Sequence, residues 1–209
     1  MIELEECERL KNNILSINSE GTIKTIMLVS SVIGEGCSTV ASNLALSLAK
    51  HRTLKTVLID GNLRCPTLHK HFDLENMFGF YDLILGKKGA EGVLKRTKWP
   101  NLLVITSGET KHYPNEFIEP QGLKGFILKL KEEFNYLIFD SAPITAYPDA
   151  LLLAPQMDGV ILVIQAERMR WEAVQKVKEQ LELIHANILG VVLNKKKYVI
   201  PKFIYKRLK

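Results

Sequence analysis

Residues Ser30-Ser31-Val32-Ile33-Gly34-Glu35-Gly36-Cys37-Ser38-Thr39 set two glycines, followed by the hydroxyls of Ser38 and Thr39, ahead of an apolar segment of helical length, Val40 to Ala49. Glycine admits backbone conformations that turn amide N–H groups toward an anion, and a helix start adds unpaired donors and partial positive charge. A phosphate is the expected guest. In nucleotide-binding loops of this kind the residue after the last glycine is a lysine that reaches the β and γ phosphates, and the next Ser or Thr carries Mg²⁺ on its hydroxyl. Here Ser38 and Thr39 supply the hydroxyls, whereas Cys37 occupies the lysine position. The strict pattern fails at that residue, and no lysine lies between Val29 and Thr39.

Two further acids belong to the same chemistry. The runs Val57-Leu58-Ile59-Asp60 and Tyr136-Leu137-Ile138-Phe139-Asp140 each end an apolar strand on a carboxylate. Strand ends meet water, so one such acid carries little meaning. Two of them together with Ser38 predict a site for Mg²⁺ or its waters.

The elements that must position these residues are legible in the hydropathy pattern. Apolar runs rich in β-branched residues recur at Ile26 to Ser30, Thr56 to Asp60, Leu102 to Thr106, Tyr136 to Asp140, Val160 to Gln165 and Ile188 to Asn194. Helix-length amphipathic stretches separate most of them, notably Ser38 to Lys50, Gly122 to Glu133 and Trp171 to His185. Near-continuously apolar strands alternating with helices predict an α/β fold, a doubly wound and mostly parallel sheet with helices on both faces. Ligands of such sheets bind beyond the carboxyl ends of the strands, where the glycine loop and both acids would lie. The expected organisation is an N-terminal helix over residues 1–20, a single domain over 21–194 and a basic tail over 195–209. Residues 64–100 are too irregular to assign. Trp171, Val174, Leu181 and Ile184 have the helical spacing of core residues.

Composition narrows the class. A chain of 209 residues with 46% hydrophobic and 24% charged residues can fill a core, which excludes a disordered protein. No apolar run reaches the length that crosses a bilayer, and the acidic start is unlike a secretory signal. A cytoplasmic protein is expected. Cys7, Cys37 and Cys65 are too few and too irregular for a disulfide framework or zinc knuckle, so reduced thiols are expected. The net charge of +5 is concentrated: residues 195–209 carry seven Lys and Arg and no acid, leaving the body about −2. Such a tail suits a solubilising end, a patch for anionic lipid or an acidic partner, or a nucleic-acid arm; with the basicity confined to the tail, no nucleic-acid partner is expected.

A rival reading comes from spacing. Gly34, Gly36 and Thr39 imitate a dinucleotide fingerprint, with Asp60 placed 21 residues after Thr39 as a ribose-binding acid. A dinucleotide-binding oxidoreductase leaves Asp140 without a role, however, and the third glycine is replaced by Thr39.

In register, Ser30 to Ala45, Ile59 to Arg64, Leu137 to Pro143 and Gly190 to Asn194 resemble the bacterial tyrosine kinases of capsule and exopolysaccharide export, relatives of MinD- and ParA-type P-loop ATPases. The resemblance implies that Gly34, Glu35, Gly36, Ser38 and Thr39 wrap the phosphates of ATP or ADP, that Asn194 lies near the adenine, and that Ser38, Asp60 and Asp140 hold Mg²⁺. It also implies a membrane partner, the chain-length or copolymerase protein of polysaccharide assembly, which would place the chain at the inner face of the membrane, with self-association and contact of the basic tail with the bilayer as further expectations.

Departures from the family pattern bear on activity. Active members carry lysine at position 37 and usually an aspartate at 62, two residues before the motif arginine, here Arg64; this chain has Cys37 and Asn62. An amide cannot accept a tyrosine proton as a carboxylate can. Losing the lysine removes a charge-assisted contact of roughly 1.5 to 3 kcal/mol. Ring-forming relatives carry E-x-x-R-x-x-R before the first strand, where this chain offers Glu5, Glu8 and Lys11. Their tyrosine-cluster tail is reduced to Tyr198 and Tyr205 as candidates for phosphorylation. The reading is therefore a catalytically impaired kinase-like subunit, a regulator or scaffold, with an active autokinase or ATPase and an interaction module with an empty loop as alternatives. Cys37 itself reads as a drifted residue, as a thiol activated by the helix N-terminus, or as a gap whose cation comes from a partner or another segment.

Overall fold

Strands apolar on both faces need cover on both faces, and the computed structural model, which describes residues 4–109, 120–168 and 171–196, supplies it. Seven strands form one sheet in the order β3-β4-β2-β5-β1-β6-β7. They are β1 (Thr25–Ser30), β2 (Thr56–Asp60), β3 (Lys95–Arg96), β4 (Leu102–Ile105), β5 (Tyr136–Asp140), β6 (Gly159–Gln165) and β7 (Ile188–Asn194). Every pairing is parallel except that of β3 with β4. The doubly wound expectation is met.

Side chains alternate across the sheet and divide the core in two. Ile26, Leu28, Leu58, Ile138 and Val163 pack beneath α1 (Leu4–Ile17) and α2 (Cys37–Ala49). Met27, Val29, Ile59, Leu137, Phe139 and Leu162 face the other way, toward α5 (Pro120–Glu133), α6 (Asp149–Leu153) and α7 (Trp171–Leu183). Within α7, Val174 and Leu181 are buried as the spacing predicts, but Trp171 is 71% exposed. It is the first residue of the helix and stands outside the core. The unassigned stretch contains α3 (Leu68–Phe72), α4 (Phe80–Ile84) and β3. Each is too short for periodicity to identify it.

The end of the sheet away from the glycine loop is tied by Asp158. Its carboxylate accepts the Lys24 and Thr25 amides, each at 2.8 Å, and pairs with Lys131 at 2.6 Å. Glu8 accepts hydrogen bonds from Ser47 of α2 and Lys11, so its charge is engaged within its own chain. Among the described residues no helix is long and apolar enough to cross a membrane. Tyr198, Tyr205 and most of the basic tail lie outside the described residues.

Candidate functional site

The loop between β1 and α2 is built by two glycines in the left-handed region. Gly34 has φ 89° and Gly36, the residue that caps α2, has φ 90°. A Cβ on Gly36 would also stand 2.3 Å from the Asn194 amide nitrogen, so no other residue fits there. Glu35 between them is fully buried. One carboxylate oxygen accepts the Ser31 amide at 2.7 Å, the Ser31 hydroxyl at 2.6 Å and the Val32 amide at 2.9 Å; the other accepts the Gln165 amide at 3.1 Å. The Glu35 side chain thus braces the loop from inside, leaving only its backbone for an anion.

Asp60 and Asp140 lie side by side, paired in the register of β2 and β5. They fall on the α2 side of the sheet, where Ser38 lies in the first turn of the helix. One Asp60 oxygen accepts the Thr67 and Leu68 amides at 3.2 and 3.0 Å. The other Asp60 oxygen and both oxygens of Asp140 are buried without a hydrogen bond of full geometry, although Ser38, Cys37 and the Ser141 amide lie close enough to Asp140 to favour its charged form. Burial raises the pKa of both carboxyls, and the charge of Asp140 raises Asp60 further. Buried carboxylate oxygens left without full hydrogen bonds beside a hydroxyl are the donor set of a hard cation. Among the described residues no three His, Cys, Asp or Glu converge on one point. Two carboxylates and a hydroxyl suit Mg²⁺, which keeps waters and takes ligands from bound phosphate.

Position 37 holds its thiol against Asp140. Burial and the neighbouring carboxylate push the Cys37 pKa well up. Burial and the adjacent anion both oppose the thiolate that a helix N-terminus would favour. Asn62 accepts the Cys65 amide at 3.1 Å, closing a local turn. Arg64 pairs with Asp149 at 3.1 Å and stacks 5.1 Å over the Tyr147 ring. A cavity of about 250 Å³ collects the loop, Ser38, Thr39, Asn62 and Tyr147, together with Cys65 and His71. His71 is held toward its neutral form by burial. A larger groove of about 700 Å³, lined by Lys55, Trp99 and Phe134, gathers none of the predicted residues.

Asn194 reaches the loop from the end of β7 and donates to the Glu35 carbonyl at 2.7 Å. Its neighbour Lys195, grouped with the tail by charge, donates to the Gly34 carbonyl at 2.6 Å. Gln165 and Arg168 at the end of β6 join the same cluster: Arg168 lies 3.0 Å from where a Gly34 Cβ would stand, and Gln165 accepts from both Arg168 and Lys195 at 3.4 Å. Sequence reasoning found Asn194 and missed Lys195, Gln165 and Arg168. Only adjacency to Asn194 could have pointed to Lys195.

No family model matches the chain. Among curated proteins, the tyrosine-protein kinase YwqD of Bacillus subtilis is 34% identical over 193 residues, covering 92% of this chain and 81% of YwqD. Among solved structures, the chimerical protein CapA2B2 superimposes with a TM-score of 0.85 at 31% identity, over 93% of this chain and 85% of the chimera. The septum site-determining protein MinD of Pyrococcus horikoshii, solved as a complex with Mg-ADP, gives a TM-score of 0.70 at 21% identity over 90% of this chain and 77% of MinD, a likeness of fold. With strand order, glycine loop, paired acids and the β7 asparagine all in place, and with that identity over most of both sequences, the chain belongs to the family of bacterial tyrosine-protein kinases.

Proposed function

We propose that this chain is a kinase-like subunit of capsule or exopolysaccharide assembly that keeps a phosphate-binding loop but has lost most of its capacity for phosphoryl transfer. The observation that carries the reading is Cys37, whose thiol is buried against Asp140 at the position where a lysine would reach the β and γ phosphates. Phosphoryl transfer depends on charge stabilisation, so the missing ammonium costs more in the transition state than in ground-state binding. Asn62 adds to the loss, because its amide cannot take a proton from an attacking hydroxyl.

In this reading the backbone amides of Gly34, Glu35, Gly36, Ser38 and Thr39 cradle the phosphates of ATP or ADP. Asn194 borders the adenine. Ser38, Asp60 and Asp140 hold Mg²⁺, whose chemistry when bound is to neutralise charge on the phosphates. Arg64, tied to Asp149, orders the wall of the cavity. A membrane polysaccharide chain-length or copolymerase protein is the proposed partner, which places the chain at the cytoplasmic face of the membrane. The +7 charge of residues 195–209 suits contact with that partner or with anionic lipid. Tyr198 and Tyr205 are the proposed phosphorylation sites, modified by a separate active kinase.

The test is calorimetric titration with ADP and ATP, with and without Mg²⁺, beside an autophosphorylation assay. Weak, magnesium-dependent binding without autophosphorylation is expected. Robust autophosphorylation abolished by Asp60→Ala would establish an active kinase instead.

A further inference from the structure

Two carbonyls of the phosphate loop are held by side chains from the end of β7. Lys195 donates to the Gly34 carbonyl at 2.6 Å, and Asn194 donates to the Glu35 carbonyl at 2.7 Å. A trans peptide carries its C=O and N–H on opposite sides of one plane. Drawing the Gly34 carbonyl toward β7 therefore turns the Glu35 amide the other way, and drawing the Glu35 carbonyl does the same for the Gly36 amide. These are amides that an anion in the cavity would use. Asn194 is a buried anchor, whereas the Lys195 ammonium lies at the surface. The Asn194 oxygen accepts the Lys195 amide at 2.8 Å, which orients the asparagine so that its nitrogen faces the loop. Lys195 adopts φ 55°, a left-handed conformation that is costly for a residue with a Cβ and that persists only where the surroundings impose it. Asn194 is buried, and its nitrogen fills the space left by the absent Gly36 side chain.

We propose that Lys195 is a positioning residue for nucleotide binding: its ammonium, fixed on the Gly34 carbonyl, holds the loop in its anion-binding form in a chain that has no lysine at position 37. This rests on the nucleotide reading above and adds to it a cation from a distant segment, 161 residues along the chain from Gly34. A lysine at 37 touches the phosphates and orders the loop by binding them. Lys195 instead acts on the Gly34 carbonyl, from the side of the loop opposite the amides.

The test uses the full chain in four forms: unmodified, Lys195→Ala, Lys195→Arg, and Lys202→Ala, which removes the same charge from the tail. Each is titrated with ADP by calorimetry, and the ligand-free amide resonances of Gly34, Glu35 and Gly36 are followed by ¹H–¹⁵N spectroscopy. Lys195→Ala is expected to weaken ADP binding by about tenfold or more, with Lys195→Arg within about threefold of the unmodified chain and Lys202→Ala unchanged. In the ligand-free protein the Glu35 amide should move in Lys195→Ala and stay near its place in Lys195→Arg. Unchanged affinity in Lys195→Ala overturns the proposal, and so does weakened affinity with an unmoved Glu35 amide, which would mean that the ammonium meets the ligand directly. Equal loss in Lys202→Ala also overturns it, since bulk charge would then suffice. If the unmodified chain binds no ADP, the nucleotide reading fails by itself, and the Glu35 amide still decides whether Lys195 shapes the loop.

Discussion

Asp60 and Asp140 face one another across β2 and β5, both fully buried, with three carboxylate oxygens between them lacking a hydrogen bond of full geometry. Burial raises both pKa values, so between the ordinary aspartate range near 4 and the raised values the folded protein holds more protons than the unfolded chain. The sign follows: stability of the ligand-free protein falls as pH rises through that window. Asp140→Asn should relieve this, stabilising the ligand-free protein by about 1 to 3 kcal/mol more at pH 8 than at pH 5. Urea unfolding at the two pH values measures it, and equal effects at both would refute the paired-acid account.

The same pair predicts the pH dependence of metal-assisted binding. Holding Mg²⁺ requires both carboxylates ionised, so Mg-ADP affinity should rise with pH while binding releases protons. Calorimetry in buffers of different ionisation enthalpy reads the proton count directly. A pH-independent Mg²⁺ effect would mean that the metal sits elsewhere.

Cys37→Lys restores the missing ammonium beside the phosphates. A charge-assisted contact of roughly 1.5 to 3 kcal/mol corresponds to about ten- to a hundredfold tighter ADP binding. Autophosphorylation should recover less than binding does, because Asn62 remains an amide. Full recovery of transfer by the single substitution would show that Asn62 costs nothing.

The three thiols differ in environment. Cys65 is exposed, Cys7 and Cys37 are buried, the Cys7 pKa is pushed up to about 11, and that of Cys37 also lies well above the ordinary value. Titration of the native protein with a thiol-specific disulfide reagent at pH 8 should show one fast equivalent, absent in Cys65→Ser, and two that appear on unfolding. A fast reaction at Cys37 would contradict its burial against Asp140.

Asp158 joins the start of β1 to α5 through two backbone amides and Lys131. Its pKa is held below the ordinary value, chiefly by the Lys131 bond acting against burial. That stabilisation is present above about pH 4 and fades as pH falls through the folded value. Asp158→Ala should cost about 2 to 4 kcal/mol near neutral pH and less at pH 3, as measured by urea unfolding.

The order of elements was legible because it is local. Runs such as Val57 to Ile59 and Leu137 to Phe139 are apolar at every position, which marks strands covered on both sides whatever their neighbours. The glycine loop and the strand-end acids were legible for a related reason: each is contiguous, and parallel topology brings strand ends together without any need to know the register. Short α3, α4 and β3 escaped, since five residues or fewer leave no period to detect. What tertiary structure decided is how side chains meet. Glu35 reads like the rest of its loop, yet the backbone turns its carboxylate inward onto Ser31 and Gln165. Lys195 reads as one charge of a basic tail, but the register of β6 with β7 sets Asn194 beside Gln165 and carries the next residue onto Gly34. Hydropathy specifies which face of a strand is buried. A hydrogen bond across 161 residues depends on strand order, register and a left-handed turn, and these exist only once the sheet has formed.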